Sequence, residues 1–198
     1  MLIRRWMIAC LLLMAVPMLA PAPGAHAAAT YDGTSSSEQQ KALASINKIR
    51  QQMGLAEVKL DSALNTAAVN HARYANAHYA IASEGDLSSE KKGLEFYTQP
   101  TTKERAVAAG YNAADKQILE TVYIKERAYD QNDMALEIRE LSFAHSKREV
   151  MLTPGVTDLG IARVGKATVI VGAAKAKDDT ATPVAASVFP YDGMKNVW

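Results

Sequence analysis

The sequence has 198 residues and a nearly balanced charge, with 22 lysines and arginines against 21 aspartates and glutamates. A charge this close to zero excludes the strong field that would draw the chain to nucleic acid or to an anionic membrane. The one cysteine, Cys10, cannot form an internal disulfide, so a chain of this length, which fits one ordinary domain, must be stabilised by packing.

The N-terminal residues have the features of an export signal. Arg4 and Arg5 precede an apolar run over residues 6–20, and residues 25–27, Ala-His-Ala, form a small-x-small cleavage site. The apolar run is shorter than the roughly 20 residues that span a bilayer. We therefore expect cleavage after Ala27 and a secreted protein without a stable membrane span. An uncleaved anchor is the alternative.

Two amphipathic helices are predicted after this segment. Apolar residues spaced three and four apart predict the first helix over residues 38–53, and Gly54 is placed to end it in a left-handed conformation. Asp61 is placed to cap a second helix over residues 62–79, whose alanine-rich face carries His71. The apolar residues expected at a contact between the two helices are Leu43, Ile46, Ile49 and Leu64.

A long loop is expected over residues 80–100, between the second helix and the third. Its polar run over residues 88–92 is interpreted as a solvated surface. Thr101 and Glu104 form a capping box, which predicts a short helix that Gly110 ends.

The remaining elements alternate between strands and a helix. Residues 117–124 are rich in β-branched and aromatic side chains and predict a strand. Asn132 is placed to cap a helix that runs to about Phe143, and two strands over residues 158–164 and 167–173 flank a turn typical of a hairpin. Helices before and between the strands predict an α+β fold, a three-layer α/β/α sandwich around a small antiparallel sheet.

The order of these motifs resembles the CAP superfamily of cysteine-rich secretory proteins, antigen 5 and pathogenesis-related 1 proteins, in particular its bacterial secreted branch. The family's connection into its third helix typically ends Arg-Ala-x-x-Ala-Gly-Tyr, as residues 105–111 do here. Glu120 is similar to the glutamate of the family's Gly-Glu motif. The segments that carry the resemblance are residues 46–55, 60–64, 68–74, 96–111, 118–122, 148–161 and 189–197.

This resemblance gives the expected domain boundaries. Residues 1–27 are the signal peptide, 28–37 a flexible leader and 38–173 the CAP-like domain. Residues 174–183, rich in alanine, lysine and aspartate, form a linker, and residues 184–198 form a C-terminal extended segment. Since Cys10 leaves with the signal, the mature domain is expected to be free of disulfides, as in bacterial members of the family.

The resemblance also implies where a site would lie. The family's cleft carries two histidines and one or two glutamates, and in some members it binds a divalent metal such as zinc, for which imidazole and carboxylate are suitable ligands. In this chain Ser83-Glu84 stands where the family often has Ser-His, and Lys147-Arg148 stands where it has His-Arg. The candidates that remain for a catalytic or zinc site are Glu120, His78 and His145.

Two classes of function stay open. The loss of histidines that the family has in its cleft favours a non-enzymatic module that binds an extracellular, lipid or cell-wall ligand without a cofactor. The alternative is a divalent-metal-dependent hydrolase that uses Glu120 with His78 and His145, for which these three side chains would have to converge. We expect His71 to be a packed, hydrogen-bonded helix residue. Neither His-Glu-x-x-His nor Gly-x-Ser-x-Gly occurs, so neither a zincin nor a serine hydrolase is predicted.

Overall fold

The computed structural model describes residues 35–82, 86–125 and 133–175. The predicted signal peptide, the C-terminal extended segment and most of the predicted linker lie outside these ranges, as do Ser83-Glu84 and Asn132. Among the described residues, no helix combines the length and the apolar character that crossing a bilayer requires.

The described residues form helices and strands in the predicted order, with one additional helix and one additional strand. The helices are α1 (Ser36–Gln52), α2 (Ser62–His78), α3 (Thr102–Ala108), α4 (Met134–Phe143) and α5 (His145–Leu152), with a short 3₁₀ turn at Asp86–Ser88. The strands are β1 (Lys59–Leu60), β2 (Lys116–Ile124), β3 (Val156–Val164) and β4 (Ala167–Lys175).

Two element ends differ from the predicted domain boundaries. The hydroxyl of Ser35 accepts a hydrogen bond from the amide of Glu38 at 3.2 Å and so caps α1. The helix therefore begins at Ser36, two residues before the predicted start, within the predicted leader. At the other end of the domain, β4 continues to Lys175, which adds two residues of the predicted linker to the sheet.

The four strands form one sheet in the order β1-β3-β4-β2. β3 and β4 form the predicted hairpin, and β2 pairs antiparallel with the other side of β4. β1, which the sequence pattern did not predict, is two residues long and pairs parallel with β3, so the sheet is mixed. Gly165 makes the hairpin turn with a φ of 54°, a conformation that residues with a side chain rarely adopt.

Helices cover both faces of the sheet. On one face, Leu64 and Ala68 of α2 pack in one cluster with Val169 and Val171 of β4. On the other face, α1, α4 and α5 pack in a second cluster that includes Ile170. Because successive residues of a strand point to opposite faces, these two clusters establish the α+β, three-layer α/β/α sandwich that the sequence predicts.

The packing partner predicted for α1 is wrong. Ile46 and Ile49 of α1 lie in the same cluster as Met134 and Ile138 of α4, on the face of the sheet opposite α2. Leu64 of α2 is fully buried, but it belongs to the other cluster. Each apolar stripe identifies the buried side of its helix, but not the layer that covers it.

The helix predicted to run from Asn132 to about Phe143 is followed directly by a second one. The carboxylate of Asp133 caps α4 by accepting hydrogen bonds from two backbone amides of the first turn. Ala144 has extended backbone angles, φ −81° and ψ 118°, so the chain bends there before α5. As a result, His145 stands at the start of a helix.

Candidate functional site

Four side chains that can carry charge meet on the α2 face of the sheet, and we call them the polar centre: His71, Glu90, Arg105 and Glu120. His71 comes from α2, Arg105 from α3 and Glu120 from β2, while Glu90 follows the 3₁₀ turn. None of the four side chains is more than 5% exposed. Burial of such groups is unfavourable unless they are paired, so their contacts decide what the arrangement can do.

The local sequence directs these side chains inward. Glu120 alternates along β2 with Ile118 and Val122, which both pack on the α2 face, so the two-residue period of the strand places the carboxylate there. Arg105 lies in the middle of α3, whose first turn is fixed by the predicted capping box. Two independent local signals, a strand period and a helix cap, thus bring a carboxylate and a guanidinium together.

The imidazole of His71 lies between the two carboxylates. Its Nδ1 is 2.9 Å from Oε1 of Glu90, and its Nε2 is 3.6 Å from Oε2 of Glu120. Because a carboxylate can only accept hydrogen bonds, Nδ1 carries a proton. Burial acts to raise the pKa of Glu90, but hydrogen bonds from His71 and from the amide and hydroxyl of Thr98 outweigh it and hold the pKa below its usual value.

Arg105 supplies the permanent positive charge of the polar centre. Its Nη2 is 2.6 Å from Oε2 of Glu120, and its Nε is 3.9 Å from Oε1 of Glu90. The backbone carbonyls that accept hydrogen bonds from the same guanidinium are those of Ser88, Gln99 and Pro100. One cation therefore pairs with two buried carboxylates and also holds the loop before α3 in place.

Glu90 closes that loop. Its Oε2 accepts hydrogen bonds from the backbone amides of Thr98 and Gln99. The amide of Glu90 itself donates to the carbonyl of Pro100 at 3.2 Å. Residues 91–97 therefore form a loop whose two ends are held together by hydrogen bonds.

Comparison with known proteins identifies the fold family. A family model described as "CAP: Cysteine-rich secretory protein family" matches residues 43–171. The chain belongs to the CAP family. The crystal structure of an extracellular protein containing an SCP domain from Bacillus anthracis str. Ames has a similar fold, with a TM-score of 0.55 and 15% identity over 70% of this chain. This chain spans 41% of the length of that one.

A second solved structure is similar over nearly its whole length. It is an outer surface protein from Borrelia burgdorferi, with a TM-score of 0.45 and 14% identity, and the match covers 72% of this chain and 95% of that one. No curated protein sequence matches this chain.

The polar centre of this CAP domain does not fit a zinc ion. Nε2 of His71 and Oε1 of Glu120 are buried without a hydrogen-bond partner, which would suit a metal. However, the guanidinium of Arg105 contacts the same carboxylate and cannot lose its charge, so a divalent cation would meet a fixed positive charge. Within residues 35–82, 86–125 and 133–175, no three His, Cys, Asp or Glu side chains are placed to hold a metal.

The structure does not bring the three predicted site residues together. Glu120 belongs to the polar centre. His78 lies two turns further along α2 than His71, and its Nε2 is 3.0 Å from the carbonyl oxygen of Glu95. His145 is exposed at the start of α5, which packs on the opposite face of the sheet. The convergence that a hydrolase built on these three side chains requires is therefore absent from the described geometry.

The sequence interpretation missed Glu90 and Arg105. Glu90 lies in the polar run over residues 88–92 that was interpreted as solvated, yet its side chain is buried while its neighbours in the run are exposed. Arg105 opens the Arg-Ala-x-x-Ala-Gly-Tyr segment. The available signal was a charged residue among the alanines of a short, capped helix. An arginine buried at such a position requires carboxylate partners. His71 is packed and hydrogen-bonded, as expected.

We expect the lowered pKa of Glu90 to make stability depend on pH. A carboxyl whose pKa is lower in the folded chain stabilises the fold above its unfolded pKa, about 4.3 for glutamate, and the contribution is lost as the pH falls through the folded pKa. The free energy of unfolding should therefore decrease below about pH 5, and decrease less steeply in Glu90→Gln. Urea unfolding from neutral to acidic pH measures both slopes.

The control for this experiment is Glu57→Gln, at an exposed site on the loop after α1. It should keep the wild-type slope. Parallel curves for the wild type and Glu90→Gln would show that the buried carboxyl does not contribute as described.

Proposed function

We propose that this chain is an exported CAP-domain protein that binds a ligand outside the cell and is not an enzyme. The observation that carries the proposal is the closure of the polar centre. A catalytic group has to reach its substrate, but none of these four side chains is more than 5% exposed. The two carboxylates, the reactive groups that CAP clefts offer, are already paired with Arg105 and His71.

Two further points support an extracellular location. The N-terminal residues have the charge, apolar length and cleavage site of an export signal. The Bacillus protein with a similar fold is described as extracellular. An extracellular, lipid or cell-wall ligand is therefore the class of partner that we propose, with no cofactor.

A metal-dependent hydrolase is the second candidate, and one observation favours it. Nε2 of His71 and Oε1 of Glu120 are both buried without a hydrogen-bond partner. A metal site there would need the guanidinium of Arg105 to move away, which would break its hydrogen bonds to three backbone carbonyls as well as the ion pair.

We predict that the mature protein has no zinc site tighter than about micromolar, because tight binding needs about three protein ligands in one small volume. Native mass spectrometry and calorimetry of the chain from residue 28, titrated with zinc, measure this directly. Hydrolysis of ester and peptide substrates should be the same with and without one equivalent of zinc.

One result would make the hydrolase the leading proposal in place of the binding module. That result is one zinc per chain bound in the nanomolar range, lost in Glu120→Gln but retained in Glu57→Gln, with both variants folded by circular dichroism. Zinc-dependent hydrolysis with the same dependence on Glu120 would establish it.

A further inference from the structure

The outer edge of β2 is open along its middle. β2 is the last strand of the sheet, with β4 on one side and, among the described residues, no strand on the other. The amide of Lys125, just after β2, donates to the carbonyl of Lys166 at 2.9 Å and therefore points towards β4. Because the backbone groups of an antiparallel strand point alternately to one side and the other, those of Ile118, Glu120 and Val122 point away from β4.

The burial of Glu120 agrees with this direction. Its side chain is 5% exposed, yet the residue as a whole is only half-buried, so the exposed atoms belong to its backbone. Within the described ranges, Nζ of Lys147 is the one group that bonds to the outward backbone of Ile118, Glu120 or Val122. Unpaired donors and acceptors along a strand edge are a template on which another strand can pair.

Contacts at both ends limit the open stretch. At its start, the amide of Lys116 donates to the carbonyl of Ala113 at 3.4 Å. At its end, Nζ of Lys147 donates to the carbonyl oxygen of Val122 at 2.6 Å. The backbone groups that remain lie over residues 118–122, which is the length of an ordinary strand of about five or six residues.

The sequence after β4 contains a segment of this length. Residues 184–189, Val-Ala-Ala-Ser-Val-Phe, include β-branched and aromatic side chains, which favour a strand. Pro183 and Pro190 stand on either side of the segment. Proline does not fit the middle of a sheet but is tolerated where a strand begins. The segment lies outside the described residues, so its position is inferred from the edge and from the length of the connection.

The chain leaves the sheet at the correct end of β2. Lys175, the last residue of β4, pairs with Lys116, the first residue of β2. A strand on the far side of β2 would lie two strand spacings, or about 10 Å, from β4. Residues 176–183 can extend over as much as about 26 Å, so they can pass the end of β2 and reach its open edge. Residues 184–189 would then run parallel to β2.

We propose that residues 184–189 dock on the open edge of β2 as a further strand of the sheet. Their carbonyls accept hydrogen bonds from the amides of Ile118, Glu120 and Val122. On the α2 face, the hydroxyl of Thr102 in α3 donates to Oε2 of Glu120 at 3.0 Å, and α5 packs on the other face, so the strand lies between two helices. It covers the backbone of Glu120 and shields the polar centre from the edge of the sheet. This inference does not depend on which ligand the protein binds.

Amide hydrogen exchange of the mature chain, followed by NMR, tests this proposal. In the wild type, the amides of Ile118, Glu120 and Val122 should exchange slowly, because each is paired. Ala185→Pro combined with Ala186→Pro removes two adjacent amides, one of which faces β2 in either register. In that variant, exchange at the three positions should be faster by about tenfold or more.

The matched control is Asp179→Pro combined with Thr180→Pro, which places two prolines in the connection and should keep the wild-type rates. The amide of Val169, within the central strand β4, should stay protected in every variant and so establishes that each variant is folded. Nuclear Overhauser contacts between residues 118–122 and 184–189 of the wild type would give the register.

Three outcomes would overturn the proposal. The first is exchange of the Ile118, Glu120 and Val122 amides as fast as that of exposed Lys92. The second is protection that the prolines at positions 185 and 186 leave unchanged. The third is protection that is lost on dilution, which would mean that a second copy of the chain pairs with the edge. None of these outcomes alters the zinc and hydrolysis results, so the proposed function is tested separately.

Discussion

Replacement of Arg105 by methionine should lower the free energy of unfolding by about 3–5 kcal/mol, the cost of breaking a buried ion pair by removing one partner. Methionine keeps much of the length of the side chain but removes the charge and the donors. The carboxylate of Glu120 would lose its 2.6 Å contact, and Glu90 would lose the cation 3.9 Å away. Urea unfolding at neutral pH measures the loss.

Arg139→Met is the matched control, because Arg139 lies exposed on α4. It should change stability by no more than about 0.5 kcal/mol. Adding Glu120→Gln to Arg105→Met should restore part of the loss, since it removes a buried charge that has lost its partner, with a coupling of about 1–3 kcal/mol. Additive losses, or a loss below about 1 kcal/mol for Arg105→Met, would mean that the pair is not buried together.

Replacement of Gly160 by alanine should cost about 3 kcal/mol or more, at the upper end of what overpacking a core costs. The added Cβ would lie 2.1 Å from the carbonyl carbon and oxygen of Leu64 and 2.6 Å from the amide nitrogen of Asn65. These are backbone atoms at the start of α2, so the whole helix would have to move away from β3. The shift would also strain the hydrogen bond from the amide of Ile161 to the side chain of Asn65.

Gly155→Ala is the control for this substitution. Its Cβ would lie 3.8 Å from the Cβ of Ala174, an ordinary contact, so the melting temperature should stay close to that of the wild type. A melting temperature for Gly160→Ala equal to that of Gly155→Ala would mean that α2 does not pack directly on β3.

The elements of the fold were largely predictable, because their signals are local. Asp61 accepts hydrogen bonds from two amides of α2, and Thr101 with Glu104 caps α3, as the sequence indicates. The hairpin follows from two β-rich runs around Gly165. The two-residue strand β1 was not predictable, since it has no periodicity of its own and exists through its pairing with β3.

Contacts between the layers were harder to predict from the sequence. Ile46 and Ile49 define a buried stripe, but nothing in their spacing distinguishes α4 from α2 as the neighbour. The polar centre was hard to predict for the same reason. The burial of Glu90 depends on His71 and Arg105, which are 19 and 15 residues away in sequence, and in a polar run it is indistinguishable from its solvated neighbours.

We propose that the polar centre is a closed structural support for the 91–97 loop and not a reactive site. Long-range proton–nitrogen NMR of the mature protein with labelled histidines, recorded with and without one equivalent of zinc, tests this most directly. We predict a persistent Nδ1–H signal for His71, protected from solvent exchange by its bond to Glu90 and unchanged by zinc. Loss of that protection, or a shift of the His71 nitrogens on addition of zinc, would contradict the account and point to an open, metal-binding cleft.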